Sequence, residues 1–323
     1  MKKTILLTNH YEGHIEKLLL DIIDNRYNLI VLPEVTQKAL INAASNADYF
    51  LCSGRLQIDE TVIKGAKKLK MIQRTGVGLD NIDLEVLKKY NIPLYINRGV
   101  NSTSVAEYTL MLILTTLKNN YSINQQIRNG KWERQNTGIG IRELCGKTVG
   151  LIGMGNIGKK VAQMLKGFDV NVLYFSDVRL SVDEEKQYGI YFDELDNLLK
   201  KSDIISFHCP YNKKYGYMLS SEEIDKMKDG AIIINTARGR LIDEAALIDA
   251  LKCGKISACG IDTFENEPIN SDDELLNMPQ VILSPHVAGL SYESYERMFE
   301  RAIDNIVHFD NEEFEMLKCN LYK

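Results

Sequence analysis

Along this chain, short apolar runs alternate with longer stretches whose apolar residues recur at helical spacing. In the front third the runs that read as strands are Thr4–Thr8, Asn28–Leu32, Asp48–Cys52, Met71–Thr75 and Leu94–Asn97. Helical periodicity falls between them, near His14–Ile23, Gln37–Ala44, Glu60–Lys67 and Leu84–Lys89. Strands alternating with helices predict a parallel, doubly wound sheet. From Asn101 to Leu117 runs a long apolar helical pattern with a polar start and Glu107 near its first turn, which is capping chemistry. A polar stretch from Asn119 to Lys147 follows and holds the only tryptophan, Trp132.

A second alternating series begins at Thr148. Its expected strands are Thr148–Ile152, Asn171–Phe175, Asp203–His208, Ala231–Ile234, Ala258–Ile261 and Val281–Ser284, the number a complete dinucleotide-binding sheet requires. A last helix is expected over Tyr292–Phe309, then a polar tail able to return to the first sheet and make that domain discontinuous. No repeat, linker or low-complexity segment interrupts the pattern.

A length of 323 residues suits two domains, and 45% apolar residues suffice for two cores. The net charge of -5 and pI near 5.7 argue against a nucleic-acid partner. The lysine cluster Lys64, Lys67, Lys68 and Lys70 reads as the solvated side of a helix. Six cysteines show neither C-x-x-C nor Cys/His metal spacing, so they read as reduced thiols, mostly core fillers, and no metal site is expected. The N-terminal apolar run is too short for a signal-peptide core, and no stretch approaches membrane-spanning length, so a cytoplasmic location with no membrane partner is expected.

The chemistry begins with Gly153-Met154-Gly155-Asn156-Ile157-Gly158, which follows an expected strand and opens a helix. That context makes G-x-G-x-x-G a dinucleotide fingerprint. Gly153 permits the tight turn, Gly155 lets backbone approach a pyrophosphate, and Gly158 packs the helix against the sheet. The fingerprint calls for an acidic residue about 20 positions on, at the end of the next strand. Asp177 stands there. A carboxylate at that point repels a 2′-phosphate, which favours NAD over NADP; Arg179, two residues on, would soften the preference.

Three further clusters end successive strands, where ligands of open α/β sheets bind. They are Asn235-Thr236-Ala237-Arg238-Gly239, Asp262-Thr263-Phe264-Glu265-Asn266-Glu267-Pro268 and Ser284-Pro285-His286. Oxidation of a hydroxy acid needs such a set. A guanidinium forks onto a carboxylate, an imidazole exchanges a proton near neutral pH, and a carboxylate beside the imidazole raises its pKa and fixes its tautomer. Taken singly, a loop histidine is more often structural, and His10, His14, His208 and His308 are read that way.

With these motifs the chain resembles the D-isomer-specific 2-hydroxyacid dehydrogenases from Thr4 to about Asn320. The resemblance implies two doubly wound α/β parallel-sheet domains with an active-site cleft between them. A flavodoxin-like substrate domain would comprise residues 1–100 and 290–323, and a Rossmann cofactor domain residues 101–289. It implies Arg238 as the substrate arginine, His286 as the acid–base group and Glu267, not Glu265, as the histidine's partner. Asp262 matches a nicotinamide carboxamide contact; Asn156, Ile157, Thr236, Ala237, Cys209 and Pro210 match further cofactor contacts, with Ser104 near the nicotinamide. The loop Arg74 to Asp83 matches one whose backbone N–H groups, at Gly76, Val77 and Gly78, hold the substrate carboxylate.

One departure stands at Tyr215, where the family usually has Thr and makes an adenosine-side contact. The implied activity is NAD-dependent hydride transfer between a D-2-hydroxy acid and its 2-oxo acid in a homodimer joined through the cofactor domains, with the helix from Asn101 contributing. A co-repressor-like, NAD-sensing protein without enzymatic activity is the alternative on the same fold. Formate dehydrogenase is disfavoured, because that relative has Gln where Glu267 stands. Arg55 and Arg74 read as surface or interface residues, with contact to a substrate phosphate as the other reading.

Overall fold

The computed structural model describes residues 2–213 and 216–322. By contacts the chain divides into two compact units, one formed by the chain up to Asn101 together with Leu290 onward, the other by Ser102–Gly289. Each is a parallel α/β sheet covered on both faces.

In the first unit the strands are β1 (Lys3–Leu7), β2 (Tyr27–Val31), β3 (Tyr49–Cys52), β4 (Met71–Arg74) and β5 (Leu94–Ile96). Their order is β2-β1-β3-β4-β5 and every pair is parallel. Every residue of β3 and β4 is buried, as befits strands covered by helices on both sides. Short acceptors start the helices: Thr36 bonds the Ala39 N–H, Asp59 that of Val62 and Asp83 that of Val86. Residues from Leu290 onward pack within this unit. Helix Tyr292–Asp310 buries Phe299, Ala302, Ile303 and Ile306, one stripe at helical spacing. A chain of amides then fixes it. Gln73 donates to Asn97 at 3.0 Å, Asn97 to the Met298 carbonyl at 2.9 Å, Asn305 to Gln73 at 2.9 Å and Asn320 to Asn305 at 3.0 Å. Each of these amides is buried, where an unmade bond would be costly.

The second unit holds β6 (Thr148–Ile152), β7 (Asn171–Phe175), β8 (Ile190–Phe192), β9 (Ile204–Phe207), β10 (Ala231–Asn235), β11 (Ile256–Ile261) and β12 (Val281–Leu283). Their order, β12-β11-β10-β9-β6-β7-β8, reverses direction between β6 and β9, the switch point of a Rossmann sheet. Helix Ser102–Leu117 lies in this unit's own core, burying Val105, Ala106, Leu112, Ile113 and Leu117.

Several expectations are corrected. The second sheet has seven strands, not six: β8 is a three-residue run, too short to show a period in the sequence. Helices Asn120–Arg128 and Arg134–Gly140 occupy the polar stretch, and neither buries a residue. Glu107 lies beyond the first turn of its helix and caps nothing there. The helix over Glu60–Gly65 ends before Lys67, so the exposed lysines 67, 68 and 70 belong to the turn after it. Of the cysteines only Cys52 and Cys259 are buried, with Cys209 partly so; Cys145, Cys253 and Cys319 are exposed. No helix among the described residues is long and apolar enough to cross a membrane.

Candidate active site

The glycine turn follows β6 directly. Gly153 has φ +102°, and a Cβ there would lie 2.6 Å from the His208 carbonyl carbon and 2.7 Å from the Cys209 nitrogen. Only glycine lets the β6 and β9 strand ends approach so closely. At Gly158 a Cβ would lie 2.2 Å from the Gly153 oxygen, whereas at Gly155 it would meet open space. A cradle closed beneath and open above, leading into helix Asn156–Leu165, fits a pyrophosphate at a helix N-terminus. Asn156 and Ile157 open that helix. Asp177 is exposed just past the end of β7.

Around this cradle, Cys209 turns its thiol to the Met218 sulfur at 3.5 Å, and burial pushes that thiol up to about 12. Pro210 is exposed; the adjoining Tyr215 departure lies outside the described residues. Although part of His208 reaches the surface, its ring is enclosed, and burial pushes it down to about 3. It stays neutral, with Nε2 3.0 Å from the Ser206 hydroxyl. Thr236 is buried against Thr109, hydroxyl to hydroxyl at 3.0 Å, and Ala237 donates its N–H to Asn235 at 3.0 Å. Ser104 donates to the Ala288 carbonyl at 2.9 Å.

The side chains expected to carry the chemistry, Arg238, Glu267 and His286, lie in the loops that follow β10, β11 and β12. Nδ1 of His286 lies 2.8 Å from Glu267 Oε2, leaving Nε2 for a reacting atom, and both side chains are partly open to solvent. The other Glu267 oxygen accepts the Phe264 N–H at 3.0 Å. Burial alone would raise the Glu267 pKa; the bond and charge of His286, the Phe264 N–H and the charge of Arg238 together hold it below the usual carboxylate range. Arg238 is thus brought to the same carboxylate. Glu265 takes no part, since it accepts the Tyr217 hydroxyl at 2.6 Å.

His286 has φ +56°, a strained conformation for a residue with a Cβ. Asp262, wholly buried, holds it. The Asp262 carbonyl accepts the His286 N–H at 2.8 Å, and its carboxylate accepts Ser284 Oγ at 2.6 Å and the N–H groups of Val287 and Ala288 at 2.9 Å each. Burial raises the Asp262 pKa despite these donors.

Glu244 is absent from every sequence motif, and the packing role of Gly239 within its motif is not legible there. Glu244 accepts the Glu265 N–H at 2.5 Å, fixing the turn that presents Glu267. Gly239 packs on the same turn, where a Cβ would lie 1.9 Å from the Phe264 carbonyl carbon. Nothing in local sequence announces either contact, since 20 or more positions separate the partners in the chain.

In the first unit, Arg74 is buried and not a surface residue: its Nε donates to the Gly78 carbonyl at 2.7 Å and Nη1 to the Cys52 carbonyl at 3.4 Å. The Gly76 carbonyl accepts the Asn97 N–H at 3.2 Å. Among the described residues the N–H groups of Gly76, Val77 and Gly78 meet no protein acceptor, and Val77 is exposed. Arg55 is exposed. A cavity of about 580 Å³ opens at the opposite, N-terminal edge of the second sheet, near Asp203, Ala231 and Ser257, and holds none of these site residues.

Comparison with known proteins places the chain in a family. Residues 110–288 match the family model for the NAD-binding domain of D-isomer-specific 2-hydroxyacid dehydrogenases. A glyoxylate reductase from Korarchaeum cryptofilum is 34% identical over 277 residues, which cover 85% of this chain and 83% of the relative. A hydroxypyruvate reductase from Thermotoga maritima is 33% identical over 300 residues, covering 92% and 96%. Among solved structures, the D-lactate dehydrogenase of Aquifex aeolicus complexed with NAD and lactic acid has a TM-score of 0.84 and 31% identity, covering 99% and 98%.

Proposed function

This chain belongs to the D-isomer-specific 2-hydroxyacid dehydrogenase family, and we propose that it reduces small 2-oxo acids at Arg238, Glu267 and His286. It is an NAD-dependent oxidoreductase; relatives named as reductases and dehydrogenases do not favour the co-repressor-like alternative. When bound, the nicotinamide supplies or accepts the hydride. The single observation that carries the assignment of roles is the 2.8 Å contact of His286 Nδ1 with Glu267, beside the charge of Arg238.

The chemistry follows from that contact. Arg238 would pair with the substrate carboxylate and polarise the adjoining carbonyl. His286, charged and braced by ionised Glu267, would deliver its Nε2 proton to the carbonyl oxygen, and in reverse would take the proton from the hydroxyl. The unpaired N–H groups of Gly76, Val77 and Gly78 support these residues as further carboxylate donors, with Arg74 positioning the loop. Gly153, Gly155, Asn156, Ile157 and Gly158 would hold the pyrophosphate and Asp177 the adenosine ribose. Ser104, Cys209, Pro210, Thr236, Ala237 and Asp262 would line the remainder of the cofactor site. Both Asp262 oxygens already accept donors, so its first task here is to hold the His286 turn.

Glyoxylate and hydroxypyruvate are the proposed substrates, on the names of the relatives described above. A homodimer is also proposed. Its contact would come from helices Asn120–Arg128 and Arg134–Gly140 and their surroundings, where Trp132 and Ile139 are strongly exposed, in place of the buried helix Ser102–Leu117. Six unpaired cysteines suit a cytoplasmic location.

The test is NADH consumption with glyoxylate, hydroxypyruvate, pyruvate and phosphohydroxypyruvate, using the wild type and His286→Ala. The variant should lose about 10²–10⁴ in kcat while still binding NADH. Unchanged turnover of the variant on every acid the wild type reduces would remove His286 from its role.

A further inference from the structure

We propose that Glu185 is a determinant of cofactor choice: it holds the Arg179 guanidinium so that no cation is offered to a 2′-phosphate beside Asp177. The inference rests on the reading of the cradle and Asp177 as the NAD site.

A Rossmann site that takes NADP replaces the ribose-reading carboxylate or supplies an arginine near it. This chain carries both signals within one loop. Asp177 lies just past β7, and Arg179 is two residues further on. By sequence alone the arginine could soften the preference for NAD that Asp177 sets.

The structure gives Arg179 another occupation. Its Nε donates to Glu185 Oε1 at 2.8 Å and its Nη2 to Oε2 at 3.1 Å, a two-pronged fork. Its guanidinium also lies 5.0 Å from the ring centroid of Phe192, at the C-terminal end of β8. Glu185 is itself anchored. Its carboxylate accepts the hydroxyl of buried Tyr174 at 2.7 Å, and only 12% of its side chain is exposed. The helix that carries it, Val182–Tyr188, starts from a capping box between Ser181 and Glu184. Arg179 and Tyr174 hold the Glu185 carboxyl below its usual range.

Two effects would therefore oppose NADP. Asp177 repels the phosphate, and recruiting Arg179 would require giving up the fork and the ring contact together. Removing Asp177 alone should relieve only the first.

Binding of NADH and NADPH, followed by nicotinamide fluorescence in titrations of the folded protein, separates these effects. Asp177→Ser/Glu185→Gln should bind NADPH roughly tenfold or more tightly than Asp177→Ser, with little change for NADH. Adding Arg179→Ala should abolish that gain. Asp177→Ser/Arg179→Ala should bind NADPH like Asp177→Ser, because the arginine is already engaged; this arm leaves Glu185 and its hydroxyl anchor intact. The proposal fails if the Glu185 change brings no gain, if the gain survives Arg179→Ala, or if Arg179→Ala costs Asp177→Ser roughly tenfold in NADPH affinity. Wild-type protein that bound neither nucleotide would instead undo the reading of the cradle beneath it.

Discussion

His286 holds a left-handed φ of +56° because its neighbours over-determine it. Its N–H, those of the next two residues and the Ser284 hydroxyl all converge on Asp262. The imidazole is then fixed from its side chain by Glu267. Gly239 adds a second constraint by letting the Arg238 turn rest on the Phe264–Glu265 peptide. Gly239→Ala should cost about 1–3 kcal/mol of unfolding free energy through overpacking. It should also lower kcat/KM about 100-fold as Arg238 shifts against the dyad. Urea unfolding and steady-state kinetics check the two effects; wild-type kinetics would contradict the constraint. The proposed set of Arg238, Glu267 and His286 was read from motifs at strand ends. The roles of Gly239 and Glu244 were not, because their contacts depend on how separate turns meet.

Among elements, helix Tyr292–Asp310 shows how a sequence period becomes a docked structure. Its apolar stripe was readable, but its end is secured by chemistry that periodicity does not encode. Asp310 pairs with Lys3 and accepts the hydroxyls of Tyr49 at 2.6 Å and Tyr27 at 3.2 Å. Burial alone would raise the Asp310 pKa, but Lys3 and the two tyrosines bring it below the ordinary carboxylate range. A depressed folded-state pKa adds stability that is complete above the unfolded value of about 3.9 and is lost as pH falls through the folded value. Asp310→Asn should therefore destabilise the fold by about 1–3 kcal/mol at neutral pH and flatten the acid limb of the stability profile. Chemical denaturation at several pH values checks this, and parallel wild-type and variant curves down to acid pH would refute it. The strand β8 and the helices Asn120–Arg128 and Arg134–Gly140 were illegible for the opposite reason. One is too short for a period, and the others lie in a mostly polar stretch and bury no residue.

For the whole molecule, the proposed dimer turns on the exposed apolar side chains of the segment between Leu117 and Thr148. Trp132 is 82% and Ile139 76% exposed, large apolar surfaces for a protein to leave in water. Light scattering behind size exclusion should give twice the 36.7 kDa chain mass for the wild type and a lower mass for Trp132→Ser/Ile139→Ser. A wild-type monomer at working concentration would refute the dimer.

The sequence by itself determined the α/β class, the cofactor fingerprint with Asp177 and the three residues proposed to carry the chemistry. Those signals are local: a period, a spacing, or a motif at the end of a strand. Only the tertiary structure decided which polar groups were already committed. Arg74 read as a surface or interface residue and is buried, donating to the Gly78 carbonyl, while Arg179 read as softening the preference for NAD and is tied to Glu185. A side chain's availability depends on partners brought near by folding, and no pattern along the chain records them.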